Sequence, residues 1–198
     1  HVQTERGARN AIEAGVWSIE HGRALTDELL QMMKAKDMFR VGTDFPMTTY
    51  RGNKAAFERT VDRLKAAYRI GVKSVFSTDF DYWNERMKDE KTGDWMTRGE
   101  LTINFLRTWK AASIPPADVL RAMTINGYKA ADVIKERGPI KPGFFADLIA
   151  LPGDPLTEVD ALRNVQFVMK NGVVFKKDGV MTPEKFFHAG PVKGWRRR

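Results

Sequence analysis

The sequence predicts an α/β fold in which a parallel sheet is followed by a small β module. Short apolar segments typical of strands alternate four times with longer amphipathic segments typical of helices. Two of the junctions have nearly the same tetrapeptide, "GTDF" at 42–45 and "STDF" at 77–80. Their spacing of 35 residues is the length of one strand–helix unit. The C-terminal third instead places Asn171-Gly172 between two apolar runs, which is the strongest short-range signal for a β-hairpin.

Each strand-like segment precedes a helical one, and this order predicts a parallel sheet with right-handed crossovers. The segments are "HVQT" at the start of the chain, "VWSIEH" (16–21), "MFRVGTDF" (38–45) and "VKSVFSTDF" (72–80). After Pro115-Pro116 a helical pair is expected, "ADVLRAMT" and "NGYKAADVIK", with the break at Asn126-Gly127. A complete (β/α)₈ barrel takes about 250 residues. If the four units form a barrel, the chain therefore holds half of it.

Changes in amino-acid composition along the chain predict three regions. Residues 1–137 form the α/β body, and residues 138–182 form the Gly/Pro-punctuated β module. Residues 183–198 form a basic tail that ends in "KGWRRR". We expect this tail to be solvated.

Composition limits the class of protein. The 198 residues are 42% hydrophobic and 29% charged, as in ordinary globular domains. The absence of cysteine excludes disulfides, thiolate metal ligands and a cysteine nucleophile. Half of the formal charge of +8 lies in residues 184–198, so no nucleic-acid partner is predicted. No apolar run reaches about 18 residues, so no membrane partner is predicted either. The N-terminus is uninformative about localisation.

Three candidate metal ligands are expected at one edge of the sheet. His1 opens the first strand-like segment, His21 closes the second and Asp79 closes the fourth. Functional groups gather where parallel strands end, and two imidazoles with one carboxylate suit Zn²⁺ or a similar divalent ion. The alternative stays open that His21 only hydrogen-bonds a loop and that Asp79 caps the following segment.

Several stretches, taken in order, resemble the amidohydrolase superfamily, and within it the imidazolonepropionase-like and Xaa-Pro dipeptidase-like group. "HVQTERGARNAIEAGVWSIEHG" resembles its fifth-to-sixth strand segment, and "GVKSVFSTDF" resembles its eighth strand. "ADVLRAMTINGYKAADVI", "GPIKPGFFADLIALPGDPL" and "VQFVMKNGVVF" resemble its C-terminal signature. The resemblance covers nearly all of residues 1–176. It implies strands five to eight of a (β/α)₈ TIM barrel plus part of an appended β-sandwich.

The resemblance also implies a chemistry. His1 and His21 match the ligands of strands five and six, and Asp79 matches the acid of strand eight. One or two divalent ions, expected to be zinc, would activate a water that cleaves a C–N amide bond, with Asp79 as proton shuttle. The substrate would be a dipeptide, an N-acyl amino acid or a cyclic amide. The family's remaining ligands, on strands one and four, have no counterpart in this chain, and Lys73 lies at the wrong end of its strand to replace them.

Further candidates are substrate contacts. Asp81, Tyr82 and Trp83 follow Asp79 in the loop expected over the site. Asp44 is a second acid at a strand end, suited to substrate contact or to capping. Arg51, with Lys54 beside it, could hold a substrate carboxylate or could be solvated helix surface.

The rest of the barrel is expected as a partner, either from the same chain or from another one, and a homo-oligomer is expected. Two rival functions stay open. One is a single-metal, deaminase-like amidohydrolase, and the other is a non-catalytic assembly protein with the same fold.

Overall fold

A computed structural model describes residues 1–50, 52–79, 96 and 98–182. The helices are α1 (Glu5–Glu13), α2 (Asp27–Ala35), α3 (Lys54–Ile70), α4 (Arg98–Asn104), α5 (Leu106–Ala111), α6 (Pro116–Met123) and α7 (Ile125–Ala130). The strands are β1 (Ser18–Glu20), β2 (Phe39–Thr43), β3 (Lys73–Ser77), β4 (Leu148–Ala150), β5 (Phe167–Lys170), β6 (Val173–Lys177) and β7 (Val180–Met181). Short 3₁₀ helices cover Met47–Tyr50 and Val159–Asn164.

The first sheet has the order β1-β2-β3, and all its pairs are parallel. Its register aligns Ser18 with Phe39, and Phe39 with Lys73. The segment "HVQT" contributes one isolated parallel bridge, between Val2 and His21, rather than a full strand. The predicted order of parallel strands and helices is therefore confirmed, and the mixed α/β class with it.

Local signals explain where the long helix α3 begins and ends. The side chain of Asn53 accepts a hydrogen bond from the amide of Ala56 at the N-terminus. Gly71 ends the helix with φ 85°, a left-handed conformation that glycine adopts without steric cost. The chain then enters β3 directly, which places the strand beside β2.

The helices cover the sheet through two apolar clusters. One joins α1 and α2 to β1 and includes the fully buried Ile12, Ile19, Leu29, Leu30 and Met33. The other joins α3, α5 and α6 and includes Leu64, Leu106, Trp109 and Val119. Burying one such side chain stabilises the fold by about 1.5–3 kcal/mol, so these clusters hold the helices against the strands.

The helical pair α6 and α7 is present, but its break is earlier than predicted. Thr124, with φ −123° and ψ −87°, separates the helices, and Asn126-Gly127 lies inside α7. The side-chain amide of Asn126 donates to the carbonyl oxygen of Ser74 at 2.8 Å. This bond docks α7 onto β3, a tertiary contact that overrides the local turn preference of the Asn-Gly pair.

The second sheet is antiparallel with the order β4-β5-β6-β7. Asn171 (φ 52°) and Gly172 (φ 75°) connect β5 to β6, so the predicted hairpin is confirmed. Asp147 anchors this turn, because its carboxylate accepts hydrogen bonds from the amide of Asn171 at 2.8 Å and from Lys170 Nζ at 2.6 Å. Arg137 Nη1 donates to the same carboxylate at 2.6 Å.

The division into residues 1–137 and 138–182 stays a prediction, and the tail 183–198 lies outside the described residues. None of the described helices has the length and apolar character needed to cross a membrane.

Candidate metal centre

His1, His21 and Asp79 lie together at the C-terminal edge of the parallel sheet. Nδ1 of His1 is 2.9 Å from Nε2 of His21, although the two residues are 20 positions apart. Oδ2 of Asp79 is 4.0 Å from the same nitrogen of His21. The edge brings these groups together because parallel strands β1 and β3 end on the same side and Val2 bridges to His21.

His21 and Asp79 both have backbones in the left-handed region, with φ 64° and φ 53°. This conformation costs a non-glycine residue about 1–3 kcal/mol, and such residues cluster at functional sites. The amide of His21 donates to the carbonyl oxygen of Val41 at 3.0 Å, which fixes its turn against β2. The His21 side chain is 11% exposed whereas that of Asp79 is 53% exposed. The histidine is thus held in place while the carboxylate is open to a small molecule.

Thr43 orients His21. Its hydroxyl Oγ1 is 3.0 Å from Nδ1 of His21, and Thr43 is buried at the end of β2. When Nδ1 carries the proton and donates it to this hydroxyl, Nε2 presents a lone pair towards His1 and Asp79. Thr43 was not among the residues predicted for the site, although it is the threonine of "GTDF" and lies on the face of β2 opposite to Gly42.

The three side chains are of types that bind divalent metals, but they supply only part of a coordination shell. Imidazole nitrogen and carboxylate oxygen are ordinary ligands of Zn²⁺. The contact between the two imidazoles is a hydrogen bond, so one of the facing nitrogens carries a proton that a shared metal would displace. Within the described ranges, no group of three or more His, Asp or Glu side chains is arranged to hold an ion.

Asp44 follows the last residue of β2 but is completely buried. Both of its carboxylate oxygens accept hydrogen bonds from Arg40, at 2.5 Å and 3.1 Å, and both side chains are completely buried. The guanidinium lies across Gly42, where an added Cβ would be 2.5 Å from it. This placement favours a structural role for Asp44 over the predicted substrate contact.

Four of the predicted substrate contacts, Arg51, Asp81, Tyr82 and Trp83, lie outside the described residues. Lys54 and Lys73 both lie within the described ranges. Lys54 is an exposed helix residue whose Nζ lies 3.6 Å from Glu58. Lys73 begins β3 and pairs with Asp37, at the end of the strand opposite to Asp79.

Comparisons with known proteins bear on the family to which the chain belongs. The model of the "Amidohydrolase family" matches residues 1–175. Ochratoxinase from Aspergillus niger is 23% identical over 91% of this chain, and Adenine deaminase 4 from Rhizobium meliloti (strain 1021) is 31% identical over 61% of it. A solved Xaa-Pro dipeptidase, with methionine bound in its active site, superposes on 86% of the chain with a TM-score of 0.66 and 25% identity.

The chain spans only part of these relatives. It covers 38% of the ochratoxinase, 18% of the adenine deaminase and 42% of the dipeptidase. The family match itself extends over the parallel sheet, over β4, β5 and the first part of β6, and over all three candidate ligands. The resemblance predicted from the sequence is confirmed, and the chain belongs to the amidohydrolase family.

Proposed function

We propose that this chain is part of a metal-dependent hydrolase that cleaves a C–N amide bond in a dipeptide, an N-acyl amino acid or a cyclic amide. One observation carries the proposal. His1, His21 and Asp79, far apart in sequence, meet at the C-terminal edge of the sheet with the nitrogens 2.9 Å apart and the carboxylate 4.0 Å from His21. The similarity to a Xaa-Pro dipeptidase supports a dipeptide as the first substrate to test.

The residues have distinct roles in this proposal. His1 and His21 would hold the ion, with His21 oriented by Thr43. A bound divalent ion would lower the pKa of a water molecule and polarise the carbonyl of the substrate. Asp79 accepts a proton as the water oxygen bonds to the carbonyl carbon, and it returns that proton to the leaving nitrogen as the C–N bond breaks.

The remaining ligands would come from outside this chain's fold. The parallel sheet corresponds in this proposal to strands five to eight of a (β/α)₈ barrel, and β4–β7 correspond to part of a β-sandwich. Strands one to four would be supplied by the same polypeptide or by a partner chain, within a homo-oligomer. The support is that the chain covers less than half of the dipeptidase and of the ochratoxinase.

The proposal is tested by substitution in the complete protein. We expect His21→Ala to lower the bound metal, measured by elemental analysis. We expect Asp79→Asn to lower kcat by about 10²–10⁴-fold with the fold retained, because a positioned proton acceptor contributes that much. Hydrolysis would be followed with Xaa-Pro dipeptides, N-acyl amino acids and cyclic amides.

Asp178→Asn is the matched control. Asp178 is also exposed and also left-handed, with φ 53°, but it lies in the turn before β7. It should leave both metal content and kcat unchanged. Unchanged hydrolysis in Asp79→Asn would refute the catalytic role of Asp79, and the absence of hydrolysis in the unsubstituted complete protein would favour the non-catalytic assembly protein.

A single-metal deaminase is the second candidate, favoured by the 31% identity to Adenine deaminase 4. Release of ammonia from adenine, with one equivalent of metal per site, would support it. Two equivalents of metal in the active protein would exclude it.

A further inference from the structure

A cleft of about 790 Å³ opens between the loop after β1, the loop after β2 and helix α3. Among the described residues, three arginines line it: Arg23, Arg59 and Arg63. Its volume lies within the range of pockets that bind small organic molecules. We call it the arginine cleft.

Arg63 is the deepest of the three cations and is incompletely bonded. Its Nη1 donates to the carbonyl oxygen of Arg23 at 3.1 Å, whereas its Nε is buried with no hydrogen-bond partner among the described residues. Burial, and then repulsion from Arg40, lower the pKa of Arg63. An anion in the cleft would offset the poorly solvated charge of Arg63.

The described acids around the arginine cleft do not neutralise it. Asp27 lies on the lining, but its carboxylate is bonded to Arg69 at 2.6 Å. Asp44 is completely buried and is matched by Arg40. Asp62 is the remaining acid on the described lining, where the arginines outnumber it three to one.

The arginine cleft adjoins the candidate metal centre. Thr43 lines the cleft and at the same time lies 3.0 Å from the ring of His21. Arg23 follows His21 by two residues. A ligand that reaches the edge of the sheet would therefore find the arginines beside it.

We propose that the arginine cleft binds the oxyanion of a small ligand, a carboxylate or a phosphate. Guanidinium groups bind both oxyanions through paired N–H donors. The oxyanion is either the substrate's own carboxylate or a separate small anion. Binding does not require the proposed hydrolysis, so the two proposals can fail independently.

Calorimetric titration of the complete protein with inorganic phosphate and with N-acetylproline tests the site. We expect saturable binding that Arg59→Gln and Arg23→Gln each weaken by at least about tenfold, the usual effect of removing a charged hydrogen-bond donor. Lys65→Gln is the control, because Lys65 is exposed on the same helix and lies off the lining. It should change the affinity by less than about twofold.

Two results would overturn the proposal. The first is the absence of saturable binding of both probes to the unsubstituted protein. The second is an equal loss of affinity in Lys65→Gln, which would show attraction to general positive charge rather than to a site.

Kinetics with a substrate and its C-terminal amide identify the source of the oxyanion. If the substrate's carboxylate occupies the cleft, Arg59→Gln raises KM only for the free acid, and phosphate competes with it. If a separate anion occupies the cleft, KM rises for neither substrate, and phosphate binds together with each. Both results support the oxyanion site, and the calorimetry decides the matter even if no hydrolysis is found.

Discussion

Single residues around His21 determine which nitrogen is presented at the edge of the sheet. Histidines that bind metals normally donate their other N–H to an oxygen, and Thr43 supplies that oxygen to Nδ1. His21 and Asp79 could be identified from the sequence because each ends an apolar strand. Thr43 could not, because its role depends on β2 lying next to β1, which becomes visible only once the sheet is paired.

Thr43→Val should weaken metal binding by about 10–100-fold, the usual effect of removing the oxygen that orients a ligand histidine. Valine keeps the size and branching of threonine and removes only the hydroxyl. Competition with a coloured chelator measures the metal affinity. Thr43→Ser restores the hydroxyl and should recover most of it, and equal losses in both variants would contradict an orienting role.

Among the secondary-structure elements, strand β2 carries a buried ion pair on one face and Thr43 on the other. The strand was predictable from its apolar pattern, whereas the partner of Asp44 was not. Residues four apart form pairs in helices, whereas here Arg40 reaches Asp44 along a strand because Gly42 leaves room for the guanidinium. The arginine cleft was missed for a related reason, since its three arginines come from two distant segments.

Asp44→Ala should lower the free energy of unfolding by about 3–5 kcal/mol, because it leaves a buried guanidinium without its counter-ion. Urea unfolding followed by circular dichroism measures this change. Arg40→Met combined with Asp44→Leu removes both charges and should cost clearly less. If the double variant is as unstable as Asp44→Ala, packing rather than charge would explain the loss.

At the scale of the molecule, Asp147 ties the polypeptide that follows α7 to the hairpin of the second sheet. Besides Arg137, Lys170 and the amide of Asn171, Tyr128 Oη of α7 lies 3.4 Å from its carboxylate. The parallel sheet and the hairpin were predictable because each follows from local pattern. The contacts of Asp147 were not predictable, because they require groups from three separate segments to converge on one carboxylate.

The hydrogen bonds of the Asp147 carboxylate predict that the fold loses stability in acid. Burial raises the pKa of Asp147, but the hydrogen bonds from Lys170, Asn171 and Arg137 outweigh it and lower the pKa from 3.8 to about 2. The carboxylate therefore contributes about 2 kcal/mol that is fully present above about pH 4 and is lost as the pH falls towards 2.

Unfolding free energies measured between pH 2 and pH 6 check this window. Asp147→Asn should be less stable near pH 6 and should have a shallower dependence on pH below 4. An unchanged slope in this variant would show that other carboxylates cause the acid loss.

The two faces of β2 also limit where residues can be inserted into or deleted from this chain. Alternate positions of the strand serve the ion pair and Thr43, so deleting or inserting one residue between Arg40 and Thr43 would reverse the faces and break both contacts at once. Natural variants of this chain should therefore gain and lose residues in the segments after the strands, while the length of β2 stays constant.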